Sequence, residues 1–515
     1  MKINLVLFAL LSSLQGMAQN VLIDATYSAN EPSIMFNPNN PSKMVVGANI
    51  DLCFTSDDSG NTWTKRDISS TFGVWGDPVI DVDVNGDFYF FHLSNPVNGN
   101  WIDRIVCQKS TDNGATWSNG SYTGLNGNLA QDKHWSAIDR SNNNIYLTWT
   151  QFDNYGSAAP TDSTQILFSK SVDAGLTWSA PTRINQRAGN CVDMDSTVEG
   201  AVPAIGPNGE IYVAWAGPDG IVFDRSLDGG TTWLTNDIIV DPMPTGWDYF
   251  VPGIYRSNGL PVTKCDTSGG PNHGTIYINW SDQRNGPDDT EIWLAKSTDG
   301  GDTWTAPILV NDDYSGTHQF LTWMDIDQTN GHLYFVFYDR RNSSSTATEV
   351  TMAISHDGGN VFANRIISET PFVPNPAIFF GDYNNIVAHN GIVRPVWTRL
   401  ENQTLSIWTD VTPIDAILSS PVNPIRLESD IHQYPNPANS ISYVSFKLHA
   451  QEMISLSVRD TQGNKLKQLI DNQPYDYGKH IVPIPISELK LSTGVYYTVL
   501  EIGGKTNIQK LVVID

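Results

Sequence analysis

Charge is scarce in this chain: Asp, Glu, Lys and Arg make up only 17% of its 515 residues, and bases are the scarcer sign, 30 against 55 acids. A formal charge of −25 repels phosphate backbones and anionic bilayers. Nucleic-acid and membrane-surface roles are thereby excluded, and an anionic ligand would need a local arginine pocket. Cysteine is rare too: there are four, Cys53, Cys107, Cys191 and Cys265. They lack the CxxC spacing of a metal or redox site. Cys53 and Cys107 each stand three residues before a repeated serine, so they point the same way in successive repeats and are expected as buried thiols, not a bridge. Neither a GxSxG elbow nor a phosphate loop is present. Beyond the first twenty residues no apolar run is long enough to span a bilayer. That first run, residues 1–18, follows Lys2 and ends with Gly16 and Ala18 at −3 and −1 of a cut after Ala18, the build of a secretory signal peptide. No cysteine follows the cut, which argues against a lipoprotein.

Turn formers and aromatics are abundant: 41 Gly, 29 Pro, 16 Trp, 19 Tyr and 19 Phe point to short strands joined by tight loops. They fall into a repeat, S-x-D-x-G-x-T-W, at residues 56–63, 110–117, 171–178, 226–233 and 297–304, with a decayed copy SHDGGNVF at 355–362. Serine-to-serine spacings of 54, 61, 55, 71 and 58 leave room for four short strands each, the mark of a propeller or solenoid. Within each copy the aspartate can accept backbone N–H groups across a tight turn and the glycine tolerates positive φ. The tryptophan is expected to pack under its own sheet. A second repeat, NGDFYFF, NNNIYLTW, NGEIYVAW, HGTIYINW, NGHLYFVF and NGIVRPVW, is apolar on both faces, as strands sandwiched between sheets should be. An earlier copy, NPSKMVVGAN, brings these second strands to seven. Residues 381–410 hold three strands and no repeat turn. The segment VLIDATYS at the start of the mature chain is expected to supply their fourth strand, closing a ring and removing its edges.

The serine–aspartate segments match the Asp-box (BNR) repeat, and residues 21–410 resemble the sialidase-superfamily β-propellers. The resemblance implies an all-β fold whose boxes join third and fourth strands on the face opposite the substrate site. The expected architecture is a seven-bladed β-propeller over 19–410, with six blades as the alternative, followed by a linker at 411–431 and a small β-sandwich at 432–515. The tail opens on Tyr434-Pro-Asn-Pro437, carries a Gly-Asn turn, and reads Leu-Ser-x-Gly-x-Tyr at 491–496. It resembles the C-terminal sorting domain of type IX secretion substrates in Bacteroidota, which implies the type IX machinery as partner, export across the outer membrane, and release or tethering after the tail is removed. A carbohydrate-binding or immunoglobulin-like appendage is the alternative.

On the upper face, away from the boxes, loops entering innermost strands carry Glu31, Asp77, Asp132 with His134, Glu199, Trp323 with Asp325, and Asp382-Tyr383. Asp382, Tyr383, Glu199 and Asp77 are the candidate catalytic groups, because glycoside hydrolysis wants paired carboxylates across a sugar and a lyase wants a base beside a uronate. Trp247 and Tyr249, on the longest loop, are candidate sugar-stacking platforms, with a loop packed on its own blade as the alternative, and Trp323 is a candidate substrate-binding residue. Asp282 with Arg284, Asp339 with Arg341, and Arg399 recur at second-strand ends. They read either as a cluster gripping a carboxylate or sulfate, or as inter-blade ion pairs. No Arg-Ile-Pro motif is present, which argues against sialic-acid cleavage. No metal or cofactor is expected. The alternative is calcium at DVDVNGD (residues 81–87), where position 12 is His92 rather than glutamate and hairpin chemistry suffices. The expected function is a secreted glycoside hydrolase or polysaccharide lyase acting on extracellular glycans. The alternative is a non-catalytic glycan- or protein-binding surface module.

Overall fold

The computed structural model describes residues 19–313, 316–401, 403–419, 431–448, 452–475, 478–502 and 505–514, so the segment read as a signal peptide lies outside the described residues. Two compact units divide the chain, Met1–Pro421 and Val422–Asp515.

The first unit is an all-β propeller. Among its described residues are seven four-stranded sheets, six of them ordered from innermost to outermost strand along the chain. The innermost strands are Ser33–Asn37, Val79–Val82, Ala130–Asp139, Glu199–Ile205, Val262–Cys265, Gln319–Asp327 and Asn385–His389. Each packs on the next and the last on the first, so the ring closes. The remaining sheet is completed from the N-terminus: Asn20–Asp24 pairs antiparallel with Thr404–Asp410, Asn20 opposite Asp410 and Leu22 opposite Trp408. Second strands such as Phe88–Leu93, Ile211–Gly217 and Ile276–Asp282 are buried along their whole length. Trp149, Trp215, Trp280 and Trp397 are the largest of these wholly enclosed side chains. Being apolar on both faces is what a strand between two packed sheets requires.

Antiparallel order puts the turns between first and second and between third and fourth strands at one end of the ring, here the lower end, and all other loops at the upper end. Every serine–aspartate segment lies between a third and a fourth strand. In the third copy, the Ser171 hydroxyl donates to Asp173 at 2.8 Å and accepts the Gly175 N–H at 2.9 Å, while Asp173 accepts the backbone N–H and the hydroxyl of Thr177. Gly175 has φ 79°, which a side chain would strain. The repeat aromatics sit at the boundary between sheets. Trp117 and Phe362 pack on Phe90 and Phe335 of their own sheets, as expected, whereas Trp233 packs on Phe168 and Trp304 on Phe223, each belonging to the preceding sheet. The turn is therefore a wedge between neighbouring sheets, and the reason is geometric: its ring projects past the short outer strand into the gap that splayed sheets leave. All four cysteines are buried free thiols, and burial pushes Cys53 up to about 12. The segment at 81–87 forms the first hairpin of its sheet, with Asp83 accepting the N–H groups of Asn85 and Asp87. In the segment read as a linker, the helix Ile414–Ser419 packs on Ala363–Ile366 with Ile417 buried.

The second unit contains a three-stranded sheet (His432–Tyr434, Ser442–Leu448, Gly478–Ile484) and a four-stranded one (Lys465–Tyr475, Glu452–Arg459, Gly494–Ile502, Lys505–Val513). Val444, Phe446, Leu456, Val458, Leu500 and Leu511 fill its core. The Gly-Asn turn is built on Asp460, which accepts the Asn464 N–H at 2.9 Å.

Candidate functional site

At the upper end the innermost strands lose their regular pairing. Register shifts fall between Asp132 and Trp135, between Glu199 and Val202, and between Phe320 and Trp323. Positive φ accompanies them at Lys133 (48°), Gly200 (74°) and Leu321 (50°), and recurs at Glu31 (50°) and Asp77 (52°), just ahead of two other innermost strands. A bulge inserts one residue and re-aims the side chains around it. Non-glycine residues in this region carry strain that persists only where the surroundings enforce it. The consequence is convergence on the ring axis.

Lys133 Nζ lies 2.6 Å from Asp382 Oδ2 and 3.5 Å from Asp77 Oδ2. Arg256 reaches over from the long loop, donating through Nε to Asp382 Oδ1 at 2.7 Å and through Nη2 to Oδ2, with Asp193 3.6 Å from Nη1. Glu31 accepts the Asp382 N–H at 2.9 Å and an amide N–H of Asn49, whose oxygen accepts the Asp77 N–H. Tyr155 donates to Asp193 at 2.9 Å. Glu199 is fully buried, and neither of its oxygens meets a hydrogen-bond donor.

Six acids and two bases thus share one centre, and their ionisation splits. Burial, reinforced by Asp193 and Asp132, raises Glu199 well above the usual carboxylate range; burial and Asp77 do the same to Glu31. Asp132 is pushed up to about 7 by burial, with Lys133 opposing. Asp382 is equally buried, but Lys133 and then Arg256 outweigh burial and hold it well below its ordinary value. His134 is driven down to about 4 by burial. Beneath the charges, Trp135 packs on Trp323 at 4.2 Å and edge-on to Tyr383 at 5.1 Å, an aromatic floor across the axis. About 20 Å³ is open between Lys133, Asp382, Tyr383 and that floor, and Arg256, with 41% of its side chain exposed, is seated on Asp382.

Asp77, Glu199, Asp382 and Tyr383, all singled out in the sequence, therefore meet at one centre. Trp323 joins them as floor, packed on Trp135. Trp247 and Tyr249 are not platforms: Trp247 donates to the Thr197 carbonyl, Tyr249 bonds the Asn258 carbonyl and Ser281, and both are buried. Their loop folds back as a hairpin, Asp248–Tyr249 against Ser257–Asn258, and exposes Phe250 and Tyr255 instead. Arg284, Arg341 and Arg399 are not gathered. Arg284 binds Asp282 and, on the preceding sheet, Asp241 at 2.7 Å; Arg341 binds Asp339 at 2.6 Å and Asp312. Arg399 binds Glu401 and Thr370. Arg284 and Arg341 thus pair across sheet boundaries, whereas Arg399 pairs within its own strand and reaches toward the preceding sheet only through Thr370. The residues that sequence reasoning passed over are Lys133, Asp193 and Arg256. The only cue for Lys133 was a lysine flanked by two candidate residues in DKHW, in a chain poor in bases.

A larger cavity lies elsewhere. A channel of about 890 Å³ occupies the lower half of the ring and reaches the Leu227-Asp228-Gly229 turn, so a repeat turn borders this space rather than standing clear of it. Side-chain size accounts for this: Ser33, Ser136, Ala137, Ala204 and Ala388 line the axis below, and Trp135, Trp323 and Tyr383 fill it above.

Comparison with known proteins separates the two units. No curated protein matches the chain. Among solved structures it is similar to a protein of unknown function from Dyadobacter fermentans, at 16% identity over 65% of this chain and 97% of that one, TM-score 0.44. It is also similar to an α-L-arabinofuranosidase from Fusarium graminearum, at 12% identity over 78% and 99%, TM-score 0.43. A sialidase from Streptococcus pneumoniae gives 10% identity over 74% and 83%, TM-score 0.44. Residues 432–514 match the family described as Secretion system C-terminal sorting domain. No helix among the described residues is long and apolar enough to cross a membrane. The tail is thus a type IX sorting domain, and it marks the protein for export to the cell surface or beyond.

Proposed function

We propose that the exported propeller is a glycan-active enzyme that hydrolyses glycosidic bonds of an extracellular polysaccharide at its upper centre. One arrangement carries this reading: within a single cluster Glu199 is buried with no donor on either oxygen, which pushes it up, while Lys133 and Arg256 bind Asp382 and hold it down. Pairs pushed apart in this way are how one site runs acid and base chemistry near neutral pH. Glu199, protonated by burial and by Asp193, gives its proton to the leaving oxygen. Asp77, whose one nearby cation is Lys133 at 3.5 Å, is the base or nucleophile. Asp382 draws Lys133 and Arg256 together and so positions Lys133 beside Asp77. Tyr383 belongs to the floor. Hydrolysis is favoured over a lyase because both cations are already engaged by Asp382, leaving none to receive a uronate carboxylate among the acids. A space of about 20 Å³ is too small for a sugar ring, so the upper loops must open to admit substrate, a step of the sort that loops commonly provide.

The test is release of reducing ends from a panel of neutral and acidic polysaccharides. Glu199→Gln and Asp77→Asn are each expected to lower kcat by about 100-fold or more with folding intact. A folded protein that yields no product from any glycan would remove the reading. A second reading, a non-catalytic glycan-binding module, is supported by the small space at the mouth and the complete pairing of Asp382. Retention on an insoluble glycan without turnover would select it.

A further inference from the structure

Two partly exposed tryptophans stand on the upper face. Trp75 lies between the outermost strand of one sheet and the innermost strand of the next, 39% exposed; Trp101 lies between second and third strands, 43% exposed. Their rings meet edge to face at 6.0 Å, and Trp101 meets Tyr155 the same way at 5.5 Å. Isolated exposed apolar residues need no explanation, but large aromatics exposed side by side mark a recognition surface.

Both ends of this arc enter the acid centre. Trp75 is followed directly by Gly76 and Asp77, and at Gly76 a Cβ would sit 2.4 Å from the Asn49 amide oxygen that holds Asp77 in place. Tyr155 at the other end bonds Asp193, which neighbours Glu199 and Arg256. Hydrogen bonds tie both loops down. The Trp75 backbone N–H donates to the Leu93 carbonyl, and the Trp101 turn is pinned by the Ile102 N–H to the Ser94 carbonyl and by Asp103 to Ser94 and Arg104. Rigid aromatic contacts lose little conformational entropy on binding. Exposed amides flank the pair, Asn100 donating to Asn128 at 2.8 Å.

An aromatic face takes the C–H face of a sugar ring, and neighbouring amides take its hydroxyls. Charge settles which sugar. The arc borders Asp77 and Asp193, in a chain of net charge −25, so uronates, sialates and sulfated sugars are repelled. We propose that Trp75 and Trp101 form a subsite that stacks successive rings of a neutral polysaccharide chain and leads it to the acid centre. The proposal deepens the glycan-active reading and rests on it.

The full chain and its Trp75→Ala, Trp101→Ala and Trp101→Phe variants are to be titrated calorimetrically with xylohexaose, cellohexaose, mannohexaose and arabinohexaose, and with trigalacturonate as the acidic probe. Thermal melts of each variant check the fold, which exposed positions should leave unchanged. Expected is binding of at least one neutral hexaose, weakened about tenfold or more by either alanine and partly restored by phenylalanine, a change worth about 1.4 kcal/mol. Binding of no neutral hexaose, binding only of trigalacturonate, or affinities untouched by both alanines would overturn it. Hydrolysis assayed in parallel keeps the two readings distinguishable. Turnover without tryptophan dependence leaves the catalytic reading standing and sinks this one. Tryptophan-dependent binding without turnover does the reverse.

Discussion

At the lower end of the ring, Asp173 sits on an exposed turn, and the hydroxyl and backbone N–H of Thr177 hold it down to about 2. At the upper end Asp132 is buried on an innermost strand, and burial pushes it up to about 7 against the pull of Lys133. The same side chain is thus stabilised as an anion in one place and penalised as one in the other. The lower aspartates need only local donors and solvent, so they repeat from sheet to sheet. The upper acids come from several elements and differ from sheet to sheet, and burial makes Glu31, Asp132 and Glu199 costly to ionise. Carboxylates kept at such a cost cluster at functional sites more often than in structural scaffolds, which is why the upper centre and not the repeat is the candidate for chemistry.

Removing an anion from each end breaks the comparison most sharply. Asp382→Ala leaves Lys133 without its nearest counter-charge in a buried setting, and unpairing a buried ion costs about 3–5 kcal/mol. Urea denaturation should show that loss, whereas Asp173→Ala, on a solvated turn, should lose far less. Equal losses at the two positions would mean that the upper centre is as well hydrated as the turns.

Titration sharpens the contrast next. A carboxyl whose folded value lies above its unfolded value, near 3.9 for aspartate, keeps its full stabilisation below that unfolded value and loses it as pH rises through the folded one. Asp132 therefore weakens the fold between about pH 4 and 7. Asp173 has the opposite sign: its contribution is present above about 4 and is lost as pH falls toward 2. Asp132→Asn should accordingly gain thermal stability over wild type at about pH 8 and show no gain at about pH 4. A gain that does not change with pH would place the effect in packing rather than ionisation.

How legible each end was in the sequence follows from the range of its contacts. A serine–aspartate turn holds both partners of its hydrogen bonds within eight residues, so its pattern could be read directly, and its phase located the starts of the innermost strands. That phase was enough to bring Asp77, Glu199 and Asp382 to attention. It could not find Lys133, because a bulge decides which residue of DKHW faces the axis. Nor could it find Arg256, whose partner Asp382 stands 126 residues away. Trp247 and Tyr249 misled because an aromatic in a long loop reads alike whether the loop lies open or folds back, and here it folds back. The lower channel was illegible for a similar reason: its volume depends on which side chains from seven separated strands share one level of the axis.

The smallest expected effect isolates a single hydroxyl in the repeat. In the last copy, Asp357 still accepts the N–H groups of Asn360 and Val361, each at 3.0 Å, and Ser355 still bridges Asp357 and Gly359. The threonine hydroxyl is missing, which in the other copies donates to the aspartate, as Thr62 does to Asp58 at 2.7 Å and Thr232 to Asp228 at 2.7 Å. Valine fills the place with a side chain of similar shape that is 68% exposed, so little packing is lost on exchange. Val361→Thr restores the bond at a site where the valine gains little from burial, and should stabilise the propeller by about 0.5 kcal/mol, the lower end of what a hydrogen bond contributes in water. Thr177→Val should cost a similar amount in the third copy. If neither exchange moves the urea midpoint, the turns are held by their backbone donors alone, and the difference between the two ends of the ring lies wholly in burial.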